Sequence, residues 1–295
     1  MDLDLLLQLA KNGLVMGLLY GLLAYGLSLI ISTTGVFHFA HGLSVTAGAY
    51  SFWWLFSENS VTPWLAVPIS LAVAGAMGVL LQAGVYRSLR KAGAGEIAVL
   101  VASFALLTLG ESLFMLFIGS DPKAIPPTDF LQWRADLGPV TITTWDLLVV
   151  ASSVFVFVAL NILQTRTAVG LSFRAVGDNP ERATTLGIRL QRTYVWVFFV
   201  GSAVAGIPGV LLSIQNPVGP HMGFELIVLA VIALVVGGIG SMPGALIGGI
   251  AIGLVESVAV YALPTEWARF TLYALLFVWV VIRPRGFSRV AVRHA

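Results

Sequence analysis

Glu111 is the side chain that stands out as a candidate for chemistry, because it is a carboxylate inside a long apolar run. Its neighbours over residues 106–113 are mostly leucine. A carboxylate at membrane depth is costly and usually faces a cavity or a partner group, so a functional role is the default hypothesis. The alternative is a structural role, in which Glu111 hydrogen-bonds another helix or a partner subunit.

Two histidines near the start of the chain form a second candidate group. His38 and His41 follow a Ser-Thr-Thr-Gly break at residues 32–35, which ends the first apolar run. An imidazole can both donate and accept hydrogen bonds, so these side chains could line a path or bind a substrate group. Alternatively, they hydrogen-bond carbonyl groups of the loop around them.

Motifs for catalysis are absent from the sequence. It contains no H-E-x-x-H helix, no G-x-S-x-G elbow and no G-x-x-x-x-G-K-[ST] phosphate loop. It also contains no cysteine, which excludes disulfides and thiolate metal sites. We therefore expect no catalytic residue, no metal site and no cofactor bound by this chain, which has no visible means of hydrolysing ATP.

The composition is that of an integral membrane protein. Of the 295 residues, 58% are hydrophobic and 10% are charged, and the mean hydropathy is +0.94. These values leave no other reasonable class. The net charge of +2 does not indicate nucleic acid, because the basic residues lie in loops, as membrane orientation requires. The partner implied by composition is the lipid bilayer.

The apolar runs predict an all-α fold, a polytopic membrane helix bundle with about eight spans. The run at 224–261 is too long for one helix and has a Gly-rich break at 237–244, so we expect two arms that either cross fully or re-enter. A weak internal repeat relates this break to the one at 32–35, although many glycines make a chance match the alternative. The runs are 5–31, a second ending near 56, 64–86, 97–118, 145–163, 194–214, 224–261 and 266–282.

Positive charge predicts the orientation of these spans. The loops near Arg87 and Arg174 and the C-terminus hold most of the arginine and lysine, so they should be cytoplasmic. The loops near Glu58 and at 119–144 then face outside, as does the N-terminus.

Residues 165–192 form the longest polar run, and they contain a miniature helix with both ends marked. Asp178 and Asn179 are good N-cap residues, and Pro180 suits the first helical position. Glu181 suits the first turn, and Gly187 provides a left-handed C-terminal cap. So short a helix must be held by neighbours or presented to a partner. The alternative is an ordinary basic loop with one ordered turn.

Three separated blocks of the chain resemble the permease subunits of branched-chain amino acid ABC transporters, of the LivH type. The ending R-P-R-G at 283–286 also fits, and the match covers nearly the whole chain in order. The first block is G-L-L-Y-G-L at 17–22 with G-V-F-H-F-A-H-G at 35–42 and G-A-Y at 48–50; the second is R-A-V-G-D-N-P-E-R-A at 174–183 with L-G-I at 186–188; the third is G-G-I-G-S-M-P-G-A at 237–245 with L-V-E at 254–256.

This resemblance implies a single transmembrane permease domain over 1–295, in the bacterial cytoplasmic (inner) membrane, with a cytoplasmic coupling loop at 165–192. It implies a second permease of the LivM type, two ATP-binding subunits that carry ATP and Mg, and an extracytoplasmic substrate-binding protein. The chain departs from the family at His38, where asparagine is usual, and at Glu111, where an amide or apolar residue is common. The residues expected to couple to the ATPase are Arg174, Asp178, Asn179, Pro180, Glu181, Arg182, Ala183, Leu186 and Gly187.

Alternative functions remain open at this point. The resemblance also covers importers of urea, amides and small organic acids, in which a separate binding protein largely sets specificity. From the residues alone, an ion-coupled secondary transporter could use Glu111 and the histidines. A membrane enzyme lacks every motif sought. The candidate residues of a translocation pathway lie at the two breaks and in the fourth span: Phe37, His38, Phe39, His41, Glu111, Gly240 and Ser241.

Overall fold

Helices dominate the computed structural model, which describes residues 3–126 and 133–282, without the side chains of residues 265, 266, 268, 269, 276 and 280. π-Helical turns at Trp54–Glu58 and Gln82–Tyr86 continue the α-helices that end at Trp53 and Leu81. The helices are α1 (Leu3–Thr34), α2 (His41–Trp53), α3 (Pro63–Leu81), α4 (Arg87–Lys91), α5 (Glu96–Ile118), α6 (Thr144–Arg166), α7 (Ala168–Asp178), α8 (Pro180–Thr185), α9 (Leu190–Gln215), α10 (Met222–Gly237), α11 (Met242–Ala262) and α12 (Thr265–Ile282).

Six helical segments within the described residues are long and apolar enough to cross a membrane. Two shorter apolar segments, Met222–Gly237 and Phe270–Trp279, accompany them. This confirms the predicted all-α polytopic bundle. The six segments are Leu3–Thr34, Pro63–Lys91, Glu96–Ile118, Thr144–Arg166, Leu190–Gln215 and Met242–Ala262.

The chain divides into two compact units. The first unit takes in the described residues of Met1–Ser28, Pro126–Val154 and Val228–Ala295. The second takes in those of Leu29–Ile125 and Phe155–Ile227. The single permease domain over 1–295 stays a prediction.

In the first unit, glycines let α1 and α11 approach backbone to backbone. A Cβ added to Gly17 would lie 2.6 Å from Cα of Ile250, and one added to Gly13 would lie 2.8 Å from the carbonyl oxygen of Gly253. Small residues at a membrane helix interface permit such contact, which dispersion then stabilises. The four-residue spacing of Gly13, Gly17 and Gly21 is therefore a packing stripe.

In the second unit, α2, α3 and α9 pack against one another and form the core. Gly48 meets Gly206, and a Cβ on Gly48 would lie 2.9 Å from the Gly206 Cα. Gly209 meets the backbone of Val45 in the same way. These contacts bury nearly the whole of α2, including its polar residues.

The predicted outer loop at 119–144 contains a β-hairpin that was not predicted from the sequence. β1 (Arg134–Leu137) pairs antiparallel with β2 (Val140–Thr143), and Gly138 in the turn has φ +62°. Gln8 of α1 accepts a hydrogen bond from Thr141 N at 2.9 Å. Four-residue strands carry little hydrophobic periodicity, which explains the omission. Pro127 and Asp129 of this loop lie outside the described residues.

Candidate functional sites

The miniature helix predicted from its caps is present as α8. The side-chain oxygen of Asn179 accepts a hydrogen bond from Arg182 N at 2.8 Å, and Pro180 is the first helical residue. Gly187 has φ +83° and ends the helix, as its left-handed cap requires. Asn179 is the cap, whereas Asp178, the other predicted cap, is the last residue of α7.

α8 is held by one buried side chain and by the helix that precedes it. Ala183 is 1% exposed. In α7, Phe173 and Val176 are buried, and a Cβ added to Gly177 would lie 2.5 Å from the carbonyl oxygen of Ser32. Helix α7 therefore rests directly on the last turn of α1.

The outward surface of this segment mixes charge with one apolar side chain. Glu181 and Arg182 are exposed, and Leu186 is 79% exposed. Four further basic side chains of residues 165–192 are also exposed: Arg166, Arg174, Arg189 and Arg192. Among the predicted coupling residues, only Asn179 and Ala183 are not exposed; the others are Arg174, Asp178, Pro180, Glu181, Arg182, Leu186 and Gly187. The arrangement is a short capped helix that exposes its charged side chains.

The first break lies at residues 35–40 and not at the predicted 32–35, because α1 continues through Thr34. It leads His38, and His41 at the start of α2, into the core of the second unit. Gly35 has φ +68°, and Ala40 N donates to Ser103 Oγ at 3.1 Å. His38 and His41 are both 0% exposed. Nδ1 of His38 lies 2.8 Å from the Tyr86 hydroxyl. Tyr86 was not selected from the sequence, since nothing local to it signals a partner.

Phe37 and Phe39 take part in an aromatic cluster around the same break. Their ring centroids lie 5.5 Å apart, and Phe39 is 5.5 Å from Phe104 of α5. Both phenylalanines are half-buried. The break thus exposes aromatic faces while its imidazoles are enclosed.

Glu111 has a partner outside its own helix. Its Oε2 lies 3.0 Å from Nδ1 of His221, whose side chain is 62% exposed. The connector that carries His221 is also tied to the loop after α5, because Lys123 and Val218 exchange two backbone hydrogen bonds of 2.9 and 2.8 Å. The pair matches the structural alternative, a hydrogen bond to another element. The other oxygen, Oε1, is buried without a hydrogen-bond partner among the described residues, and the functional role stays a prediction.

The second break lies between α10 and α11 in the first unit. Gly238 and Gly240 have φ values of +105° and +83°. Ser241 Oγ accepts from Gly244 N at 3.1 Å and so caps α11. Like the first break, it joins two helices through a glycine in the left-handed region, in agreement with the predicted broken helices.

Comparison with known proteins identifies the family. The family described as "Branched-chain amino acid transport system / permease component" matches residues 9–280. LivH of Escherichia coli K12 and BraD of Pseudomonas aeruginosa are high-affinity branched-chain amino acid transport system permease proteins. Each is 28% identical over 292 residues, which is 95% of this chain and 94% of theirs. A probable LivH of Methanocaldococcus jannaschii is 26% identical, over 96% of this chain and 92% of its own.

A solved structure supports the fold. PsaBC from Streptococcus pneumoniae, in complex with Fab, aligns with a TM-score of 0.51 over 93% of this chain and 91% of that one, at 10% identity. At this identity the likeness concerns the fold alone. With the match to residues 9–280 and the apolar helices, we conclude that this multi-pass membrane protein belongs to the family of branched-chain amino acid transport system permease components.

Proposed function

We propose that this chain forms half of the translocation pathway of an ATP-driven importer of branched-chain amino acids across the bacterial cytoplasmic membrane. The observation that carries the proposal is α8, a capped helix whose charged surface is exposed while Ala183 anchors it. Membership of the permease family supports the transport role, and the names of LivH and BraD support the substrate class.

In this proposal α8 is the coupling helix, and it sits in a groove of a partner ATPase that binds ATP and Mg. Closure of the ATPases would move α8. Because α7 rests on Ser32 through Gly177, that movement would reach the end of α1 and the first break. Packed helices have discrete arrangements, so a shift at one end changes the population of inward and outward states.

The proposed assembly contains a second permease, two ATP-binding subunits and an extracytoplasmic binding protein. The basic residues of 165–192 and of the loop near Arg87 would face the cytoplasm, where positive charge accumulates. The N-terminus and the β-hairpin would then lie outside, and the C-terminus inside. The C-terminal arginines that contribute to this orientation lie outside the described residues.

We retain the proposal that the residues at the two breaks, together with Glu111, line the translocation pathway. Non-helical backbone at membrane depth is tolerated where it is buried in protein or lines a cavity. The half-buried Phe37 and Phe39 present apolar faces that suit a branched aliphatic side chain. His38 and His41 could contribute only in a state that exposes them, because both are buried here.

Substrate identity is tested through the cognate binding protein. Relatives that cover less of the chain are named for other cargo: an autoinducer 2 import permease of Yersinia enterocolitica, 28% identical over 72% of this chain, and a fructose import permease of Bifidobacterium longum, 24% identical over 80%. We expect the binding protein to bind leucine, isoleucine or valine when binding is measured by calorimetry. If it binds only urea, amides or small carboxylates, the proposed substrate class is wrong, and the permease role is unaffected.

The source of energy is tested in proteoliposomes that hold the permease with its partners. Uptake should require ATP on the side of the membrane that holds the ATPase subunits. It should continue when an uncoupler is present. Uptake that stops with the uncoupler and does not depend on ATP would favour an ion-coupled carrier that uses Glu111 and the histidines; Oε2 of Glu111 lies 3.0 Å from Nδ1 of His221.

A further inference from the structure

The core of the second unit buries several polar atoms that have no hydrogen-bond partner among the described residues. They are Nε2 of His38, both ring nitrogens of His41, both amide atoms of Gln82 and the hydroxyls of Ser44 and Ser202. All five residues are 0% exposed. Buried polar groups are normally hydrogen-bonded, so a group of orphaned atoms in one core requires an explanation.

His38 lies at the centre of this group. Its ring centroid is 5.5 Å from that of His41, 5.3 Å from that of Tyr86 and 5.0 Å from that of Phe198. Its Nδ1 is hydrogen-bonded to the Tyr86 hydroxyl, so Nε2 is the ring nitrogen without a partner. The two imidazoles therefore leave three unused nitrogens in one enclosed place.

Gln82 joins the group through the π-helical turn Gln82–Tyr86. One turn earlier, a Cβ added to Gly78 would overlap Ser202 Oγ and lie 2.7 Å from the Phe198 carbonyl oxygen. At the other end of the turn, the Tyr86 ring lies 5.5 Å from Phe198. Gln82 lies between these two contacts along the helix, about one turn from each, and is itself 0% exposed. π-Turns occur frequently at functional sites.

The chemistry of these atoms indicates what they would bind. A neutral imidazole has one donor and one acceptor nitrogen, an amide has both functions, and so has a hydroxyl. The group therefore offers donors and acceptors without a net charge, which suits water better than an ion. Among the described residues no three His, Cys, Asp or Glu side chains lie close enough to hold a metal.

We propose that His38, His41, Gln82 and Ser202 form an internal water-binding site that links the first break to the π-turn and to α9. A buried water typically makes about three hydrogen bonds to groups of this kind. The site does not depend on which substrate the protein carries. At this site, hydrogen bonds through water connect the first break to α9, in place of direct hydrogen bonds between side chains.

Radiolytic hydroxyl-radical labelling of the full-length protein in lipid nanodiscs tests the proposal. Radicals formed from a bound water react where that water lies. His41 and Tyr86 should therefore be labelled several-fold faster than Phe52, an aromatic residue buried in an apolar cluster. A bulk radical scavenger should suppress labelling of Trp133, which is 53% exposed, and not labelling of His41.

A stability measurement separates a water site from a dry polar core. Gln82→Leu removes two partners of the bound water, so the midpoint of thermal unfolding should fall by about 2 °C or more. In a dry core the same change removes orphaned polar atoms, and the midpoint should rise. Labelling of His41 and Tyr86 as slow as that of Phe52, or a midpoint unchanged or raised in Gln82→Leu, overturns the proposal.

Discussion

Tyr86 and His38 are 48 positions apart in the sequence, and the Tyr86 hydroxyl lies 2.8 Å from Nδ1 of His38. Both residues are fully buried, and the ring of Phe198 lies within 5.5 Å of each. The first break is thereby attached to the π-turn that continues α3. Any movement of residues 35–40 must break this bond or carry the π-turn with it.

Tyr86→Phe should destabilise the protein, because it leaves the buried Nδ1 of His38 without its partner. We expect the free energy of unfolding to fall by about 1–3 kcal/mol, measured by chemical denaturation in detergent. Tyr261→Phe is the matched control, since Tyr261 is 55% exposed and its loss should change stability by less than about 0.5 kcal/mol. Equal stability of the two variants would show that the His38–Tyr86 bond contributes nothing.

Replacing Glu181 and Arg182 together with alanine should abolish ATP-dependent uptake and leave the protein folded. Both side chains are exposed on α8, so their removal should cost little stability. The control pair is Glu58→Ala with Arg134→Ala, which are exposed on the face predicted to lie outside. Thermal unfolding and uptake in proteoliposomes check the two parts. Normal uptake by the α8 variant would remove the coupling role.

Asn179→Ala should weaken α8 without unfolding the rest of the protein. The substitution removes the oxygen that accepts from Arg182 N, and the loss of an N-cap typically costs about 0.5–2 kcal/mol of helix stability. We expect a lower uptake rate with a nearly unchanged unfolding midpoint. Asn179→Asp retains a capping oxygen and should restore uptake. If alanine and aspartate behave alike, the cap does not matter for transport.

Gly177→Ala should displace α7 from the end of α1. Its added Cβ would lie 2.5 Å from the Ser32 carbonyl oxygen, which is backbone and cannot rotate away. Overpacking of this kind costs about 1–3 kcal/mol, and uptake should fall with it. Gly84→Ala is the control, because Gly84 is helical and, apart from its own stretch of helix, no atom lies within 4 Å of the added Cβ. A Gly177→Ala protein as stable and active as Gly84→Ala would contradict this contact.

Local signals made α8 predictable. Its cap, its first-turn proline and its terminal glycine all lie within residues 179–187, and each acts on backbone groups a few positions away. The apolar spans were predictable for a similar reason, since a run of about 20 apolar residues must cross or be buried. The β-hairpin was not, because each strand has only four residues, too few to show a hydrophobic periodicity.

Pairings between distant residues required the tertiary structure. The sequence identified Glu111 as an anomaly but not His221, 110 positions away, as its partner. It identified His38 but gave no reason to connect it with Tyr86. Composition, charge and caps act locally, so the sequence by itself determined the membrane class, α8 and the capping of α8. Helix packing decided which polar atoms meet inside the bundle, because a hydrogen bond depends on separations of about 3 Å that only the folded backbone sets.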